Sequence, residues 1–282
     1  MCLKLRGRRD LIRAWLRAAQ RLAGETGRPL TWVLGYHLVQ GGTSLSIDVP
    51  RARFRDQLRL LSENAEIVPL SELTRQLRDG TAAVSQTQVV LTFDDAFLNF
   101  YEAVLPLLVE NHLPATLFVP PGFINGDGNH PLYHPRFSHL RSMTWEQVRE
   151  CAKAGVEIGS HTYRHTNLAR LTAAELTQEL AGSRQDIEEH SGVRPACVCY
   201  PEGFVNRSVV RAAAQFYECG VVGGGRAIRA ARREEMLCLP RLPVRADMTS
   251  EDLARVLGQS VYLEEWAADK VRRLRGRMAK RD

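Results

Sequence analysis

Residues 155–171 read GVEIGSHTYRHTNLARL, and this stretch decides how the rest of the chain is interpreted. Residues 156–159 have the length and apolar content of a short buried strand, and His161 and His165 follow it. If the chain turns helically after the strand, residues four apart lie on one face, and both imidazoles can reach one atom. Two such imidazoles supply half of a tetrahedral metal site, although this spacing alone more often marks surface or core histidines.

A second strand-like run, residues 88–93, is apolar and stops at Asp94 and Asp95. Adjacent carboxylates after a buried strand are costly unless water, a partner or a cation compensates them. Strand alternation points neighbouring side chains in different directions, so one carboxylate can bind a metal while the other faces the metal's water. Asp-Asp alone at a strand end is more often a helix N-cap. Together with the two histidines, it indicates three protein ligands and an open position, as in a hydrolytic metal centre.

The composition is that of a globular α/β chain. Its 282 residues, 44% of them hydrophobic, are enough for one large domain or two small ones. The formal net charge of +6 is concentrated at the ends: residues 1–21 carry seven basic side chains against one acidic, and residues 264–282 carry seven against four. Since the middle of the chain is slightly acidic, we expect no nucleic-acid groove across the domain.

Residues 3–23 have the pattern of an amphipathic helix, with Trp15 on the apolar side and five arginines on the other. Two interpretations are open: the helix packs on the catalytic body, or it lies on an anionic membrane surface. The predicted organisation is a basic N-terminal helix over residues 1–24, a catalytic barrel over 30–248 and a basic C-terminal helix over 249–282.

The six cysteines are scattered and show no zinc-type repeat. Cys197 and Cys199 fall on a predicted strand, where we expect them to face opposite sides. A chain of this length needs no disulfide framework, so we expect reduced thiols and a cytoplasmic location. The N-terminus lacks an uninterrupted apolar segment and a small-residue cleavage site, and no run has the length of a transmembrane helix. We therefore expect neither a signal peptide nor a membrane span.

Strand-like and helix-like segments alternate along the chain, and the polar residues singled out above follow the strands. This alternation predicts a parallel α/β barrel with its site at the carboxyl ends of the strands. Thr144 and Thr172 are predicted to cap the helices that follow them, and Ser71 is predicted to cap a helix over 72–78. Residues 120–141 show no period, which indicates a substrate-facing loop.

Short motifs connect these segments: GYHLV at 35–39, TFDDA at 92–96, PATLFV at 114–119, MTWEQV at 143–148 ahead of the histidine stretch, and CYPEG at 199–203. They resemble the linked motifs of the NodB-homology polysaccharide deacetylases, carbohydrate esterase family four, with the last as a variant. The first motif is similar to the branch that contains the poly-N-acetylglucosamine deacetylases. The resemblance covers about residues 33–244 and implies the distorted (β/α) barrel of this family.

The resemblance implies metal-dependent hydrolysis of the N-acetyl amide of an amino sugar in a polysaccharide or glycan precursor. One divalent metal ion would be bound by Asp95, His161 and His165. Zinc suits this donor set, while iron, cobalt, nickel and manganese stay open. Asp94 would act as the general base.

His37 is the candidate general acid. In the resembling branch, a histidine in the early Tyr-His element has this role, whereas other branches place their acid histidine near the C-terminus. This sequence has no histidine after His190, which leaves His37 as the candidate placed by a motif.

The third motif departs from the family pattern, which often has an arginine before its proline and a tyrosine after it. Tyr200, Pro201 and Glu202 supply neither, although they remain candidates for substrate or oxyanion contact, with a backbone N–H near Glu202 as the donor. The arginine that pairs with the base must then come from elsewhere. Arg241, at the end of a predicted strand over 237–239, fits that role, and a plain surface arginine is the alternative.

Other functions remain open at this point. The same chemistry can act on a lipid-linked sugar, which membrane association through residues 3–23 would favour, or on a non-sugar amide such as a cyclic imide. A different class is an inactive carbohydrate-binding barrel. The intact Asp-Asp and His-x-x-x-His pairs argue against an inactive site, so an N-acetylated glycan is the expected partner.

Overall fold

The computed structural model describes residues 29–81, 86–126, 139–228 and 233–258, with positions 267, 270 and 271. The predicted N-terminal helix lies outside the described residues, so its packing and the predicted domain boundaries stay predictions. Among the described helices, none combines the length and apolarity needed to cross a membrane.

Seven parallel strands close into a barrel, which confirms the predicted fold class. In chain order the strands are β1 (Thr31–Tyr36), β2 (Leu38–Val39), β3 (Asp48–Val49), β4 (Glu66–Ile67), β5 (Gln88–Phe93), β6 (Thr116–Val119), β7 (Glu157–Ser160), β8 (Cys197–Cys199), β9 (Cys219–Gly223) and β10 (Leu239–Pro243). The barrel closes because β1 pairs with both β5 and β10. The short β4 pairs with β5 outside the ring, and β2 pairs with β3 as a separate ribbon.

The helices surround the barrel, and two of their predicted caps are confirmed. They are α1 (Arg51–Asn64), α2 (Leu70–Asp79), α3 (Leu105–Glu110), α4 (Pro121–Asn125), α5 (Trp145–Lys153), α6 (Ala173–Ser191), α7 (Arg207–Ala213) and α8 (Ser250–Leu257). A π-helical turn, Phe100–Val104, precedes α3. Thr144 begins α5 and Thr172 begins α6, each in a reciprocal capping box that satisfies N–H groups of the first turn.

Side chains at alternate strand positions face the inside of the barrel and form one apolar cluster. It includes Val33, Val90, Phe118, Cys199, Val221 and Leu239. The positions between them pack against the helices in another cluster, which includes Trp32, Leu34, Leu91, Phe93, Leu117 and Leu242. Because side chains alternate along a strand, the inward row continues beyond three strand ends into His37, Asp94 and His161. The fold thereby gathers these three polar side chains at one end of the barrel.

The predicted capping of α2 by Ser71 is wrong. The helix begins at Leu70, two residues before the predicted start. The carboxylate of Glu157, on β7, accepts hydrogen bonds from the N–H of Leu70 at 3.0 Å and of Ser71 at 3.3 Å. The same carboxylate accepts from Thr116 Oγ1 at 2.9 Å. A carboxylate at a helix N-terminus satisfies otherwise unpaired donors and complements the helix dipole.

The cysteine predictions are also corrected. Cys197 and Cys199 lie two residues apart on β8 and therefore share the inward face, where both belong to the apolar cluster. Cys197 lies directly opposite Cys219 in the parallel pairing of β8 with β9, and the two form a disulfide. The expectation of uniformly reduced thiols is thus wrong, and the predicted cytoplasmic location loses the support it took from them.

Candidate active site

Asp94 is held by a buried arginine. Nη1 of Arg241 lies 2.6 Å from Oδ1 of Asp94, and Nη2 lies 2.5 Å from Oδ2, so the pairing is bidentate. Nη1 also donates to Thr92 Oγ1 at 3.2 Å. The strand that carries Arg241 is Leu239–Pro243, so the arginine projects inward from within β10 rather than following a strand end. A plain surface arginine is therefore excluded.

This pairing keeps Asp94 ionised. Burial alone would raise the pKa of Asp94, but the charges of Arg241, His161 and His37 and the hydrogen bonds from Arg241 outweigh it and lower the pKa to about 2. Both carboxylate oxygens face the guanidinium, which leaves Asp94 poorly placed to bind a metal ion as well. The neighbouring carboxylate is the better ligand.

Asp95 reaches the same site through an unusual backbone conformation. Regular alternation would turn it away from Asp94, but φ is 74° at Asp95 and 49° at Ala96, in the left-handed region. The carboxylate oxygen Oδ1 of Asp95 consequently lies 3.4 Å from Nε2 of His161 and 3.4 Å from Nε2 of His165. Both aspartates are thus brought to one place while facing different partners.

The two histidines meet without the helical turn that their spacing suggested. The chain after β7 is an irregular turn in which Thr162 has φ of 64° and His165 has φ of 53°. The rings of His161 and His165 nevertheless pack edge to face, with centroids 4.7 Å apart. The expected convergence of the imidazoles is present, but a left-handed turn produces it.

The protonation of His161 suits a metal ligand. Its Nδ1 donates to the carbonyl oxygen of Cys199 at 2.8 Å, so Nε2 directs its lone pair at Asp95. Burial lowers the pKa of His161 against the opposing charges of Asp94 and Asp95, which favours the neutral imidazole that metal binding requires.

The donor set Asp95, His161 and His165 fits a zinc-like ion. Ligands at about 2.0–2.1 Å from a tetrahedral ion lie about 3.3–3.4 Å apart, close to the distances from Asp95 Oδ1 to the two Nε2 atoms. A second grouping, Asp94 with His161 and Cys199, also brings donor atoms within 4.8 Å. It fits less well, because Arg241 engages Asp94 and burial raises the pKa of the Cys199 thiol.

His37 follows β1 and faces the carboxylate of Asp94 from the opening of the barrel. Its Nε2 lies 3.4 Å from Asp94 Oδ2, and its side chain is 21% exposed against 2% for Asp94. His37 is therefore the more accessible of the two and stands between the buried base and solvent. This is the place from which a side chain can reach a bound substrate.

In the third motif, residues 200–203 offer the site a candidate backbone donor. Tyr200 faces outward and packs with Leu180 and Val209 in the core between barrel and helices, so the predicted substrate contact cannot involve its phenol. Pro201 has no N–H, and the N–H of Gly203 donates to the Tyr200 carbonyl at 3.0 Å. The N–H of Glu202, where φ is 54°, is then the remaining candidate in this turn for the predicted oxyanion donor.

The comparisons with known proteins concern the family and the fold of the chain. Residues 81–217 match the polysaccharide deacetylase family model. The chain carries a polysaccharide deacetylase domain. This confirms the predicted family. Two solved structures have the same barrel fold. Streptococcus pyogenes deacetylase PplD matches with a TM-score of 0.68 and 21% identity, covering 82% of this chain and 99% of that one. IcaB from Ammonifex degensii matches with a TM-score of 0.67 and 22% identity, covering 83% of this chain and 99% of that one.

Alignments with two curated relatives cover more of the chain than residues 81–217. YxkH of Bacillus subtilis strain 168, also named for this family, is 27% identical over 218 residues, which cover 77% of this chain and 72% of YxkH. A poly-beta-1,6-N-acetyl-D-glucosamine N-deacetylase of Staphylococcus aureus strain MRSA252 is 26% identical over 168 residues, 56% of this chain and 54% of that protein.

Left-handed backbone is concentrated around the site of the deacetylase domain. Among the described residues other than glycine, those with positive φ are Gln40, Asp95, Ala96, His112, Thr162, His165 and Glu202. Five of them lie in the loops that follow β5, β7 and β8. Such conformations cost about 1–3 kcal/mol each and persist only where the surroundings enforce them, as they often do at functional sites.

Two further residues at the site begin motifs quoted above, but the sequence predicted no role for either. Gly35 of β1 leaves room for the guanidinium, since a Cβ there would lie 2.8 Å from Nε of Arg241. Cys199 lies beneath the aspartate, with Sγ 3.8 Å from Asp94 Oδ2. Both positions follow from the inward row of the barrel, which becomes visible only once strand register is known.

Proposed function

We propose that the protein hydrolyses the N-acetyl amide of an amino sugar in a glycan, using one divalent metal ion, zinc, bound by Asp95, His161 and His165. The observation that carries this proposal is the set of three donors next to a separate ionised carboxylate, Asp94, paired with Arg241. The division of labour between the two aspartates is the one that hydrolysis by an activated water requires.

The buried carboxylate is the proton acceptor in this proposal. A divalent ion at the three donors supplies polarisation of the acetyl carbonyl and acidifies water. Asp94 accepts the proton that the attacking water loses, and Arg241 holds its carboxylate in position and ionised. Because Arg241 is itself 7% exposed and packs beneath Asp94, the pair is fixed before substrate arrives.

The departing nitrogen needs a proton, and His37 is the group proposed to provide it. Water oxygen forms a bond to the acetyl carbon, the C–N bond breaks, and acetate and a free amine leave. His37 gives its proton to the amine nitrogen, while the backbone N–H of Glu202 is the proposed donor to the oxyanion. The greater exposure of His37 fits a group that must contact the sugar side of the amide.

Purified protein loaded with zinc and incubated with N-acetylglucosamine oligomers tests the proposal. The expected result is release of acetate and free amine in equal amounts. Oligomers joined by β-1,6 linkages are included, because relatives named for that polymer match this chain. Turnover of lipid-linked N-acetyl sugars alone, or of cyclic imides alone, would replace the proposed substrate by the corresponding alternative. Glycan binding without turnover would support an inactive barrel instead.

Gly35→Ala is expected to lower turnover by about 10²-fold while zinc remains bound. The added Cβ would lie 2.8 Å from Nε and 3.0 Å from Cζ of Arg241, so the guanidinium must shift. Since misplacing a catalytic group by about 1 Å typically costs that factor, the effect falls on kcat. Gly258→Ala is the matched control, because among the described residues the nearest atom to its Cβ would be Arg255 O, at 3.8 Å. Equal kcat in both variants would contradict the proposed role of Arg241.

A further inference from the structure

We propose that Glu179 is a positioning residue for the metal centre, acting through the turn that carries the two histidines. The inference rests on the proposed function, because it concerns how the proposed ligands His161 and His165 are held. Glu179 lies on α6, outside the barrel, and its role is to fix backbone rather than to contact the ion.

The turn between the histidines needs an external support. It is neither helix nor strand, and Thr162 and His165 both have left-handed backbone. Left to itself, such a segment would sample other conformations in which the two imidazoles point apart. The ion would then have to gather its ligands on binding, and that ordering cost would weaken its affinity.

Glu179 supplies this support from the middle of α6. Its Oε2 accepts the N–H of Tyr163 at 3.0 Å and the N–H of Arg164 at 2.9 Å, which are two of the three residues between the histidines. Its Oε1 lies 3.3 Å from Nη1 of Arg164. The Glu179 side chain is 5% exposed and that of Arg164 is 56% exposed, so the carboxylate is buried against backbone donors. Burial of a carboxylate is costly, and bonds to this turn are what offset it here.

Other contacts hold the turn from its remaining sides. The carbonyl of Tyr163 accepts the N–H of Gly122 at 2.9 Å, so both polar groups of this peptide unit are engaged. Before the turn, Ser160 Oγ lies 2.5 Å from Ser183 Oγ, one helical turn beyond Glu179 on α6. Two contacts therefore connect the histidine turn and the residue before it to α6. One is the hydroxyl pair, and the other is the charged carboxylate of Glu179.

Zinc affinity of Glu179→Ala and Glu179→Gln, measured by competition with a chromophoric chelator, tests the inference. Changing groups that orient metal ligands typically costs about 10–100-fold in affinity, and we expect a loss of that size in Glu179→Ala. Glu179→Gln keeps the shape and one acceptor, so its loss should be smaller. At saturating zinc the turnover of both should recover towards that of the wild type, because Glu179 does not take part in the reaction.

Two control variants on the same helix separate this role from general stability. Glu188→Ala removes an exposed carboxylate, and Ile187→Val removes a methyl group from the core, which typically costs about 0.5–1.5 kcal/mol. Both should bind zinc as the wild type does. If folded Glu179→Gln and Glu179→Ala bind zinc with wild-type affinity, the role of Glu179 is overturned and the metal centre is not. The same conclusion follows if Ile187→Val loses as much zinc affinity as Glu179→Ala. Failure of the wild type to bind zinc would overturn the proposed metal centre itself.

Discussion

Asp94→Asn is expected to keep the metal and lose turnover, whereas Asp95→Asn is expected to lose both. The two aspartates are adjacent in sequence, but Asp94 faces Arg241 and Asp95 faces the two imidazoles. Removing the base should lower kcat by about 10²–10⁴-fold. Mutating a group that hydrogen-bonds a metal ligand typically lowers metal affinity by ~10–100-fold, and removing a direct ligand should lower it by more. Metal analysis and kcat of both variants provide the comparison.

Asp94→Asn also leaves Arg241 as a buried charge without its counter-ion. Breaking such a pair from one side typically destabilises a protein by about 3–5 kcal/mol, so this variant should melt at a lower temperature. A double variant, Asp94→Asn with Arg241→Gln, removes both charges and should recover much of the stability without recovering turnover. Metal content and kcat that are the same in Asp94→Asn and Asp95→Asn would refute the division of labour.

His37→Ala should lower kcat for the amide by about 10²–10⁴-fold and leave metal content unchanged. General acid catalysis is worth about that factor, and the side chain faces Asp94 without belonging to the three-donor set. An activated ester needs little protonation of its leaving group. The loss on an ester substrate should therefore be much smaller than the loss on the amide.

His112→Ala is the control for this experiment, since His112 is exposed and follows α3 away from the strand ends. It should match the wild type on both substrates. Equal losses of His37→Ala on ester and amide, or amide turnover near the wild-type value, would show that His37 has a structural role.

Much of the candidate site was predictable from the sequence because the proposed ligands come shortly after the ends of two strands. The Asp-Asp pair after β5 and the histidine pair after β7 are local patterns, and parallel strands bring their carboxyl ends together. The position of Arg241 was harder to predict. The predicted strand over 237–239 ended before Arg241, whereas β10 includes Arg241 and continues to Pro243, although Pro240 cannot donate to a ladder.

What could not be predicted depends on contacts between distant parts of the chain. Glu157 caps α2 from β7, and Glu179 fastens the histidine turn from α6, and neither pairing leaves a periodic signal. The Cys197–Cys219 disulfide likewise depends on the register between β8 and β9. The left-handed backbone at Asp95 belongs with these cases, because strand alternation alone would have turned its carboxylate away from Asp94.

The metal content of the wild type, His161→Ala and His165→Ala is the most direct test of the metal centre. Each protein is stripped with a chelator, reloaded with zinc, passed through a desalting column and analysed for metal per chain, with His112→Ala as the matched control. The proposal predicts one zinc ion per chain in the wild type and the control, and loss of most of it in both ligand variants. Stoichiometric zinc in His161→Ala and His165→Ala, or none in the wild type, would contradict it.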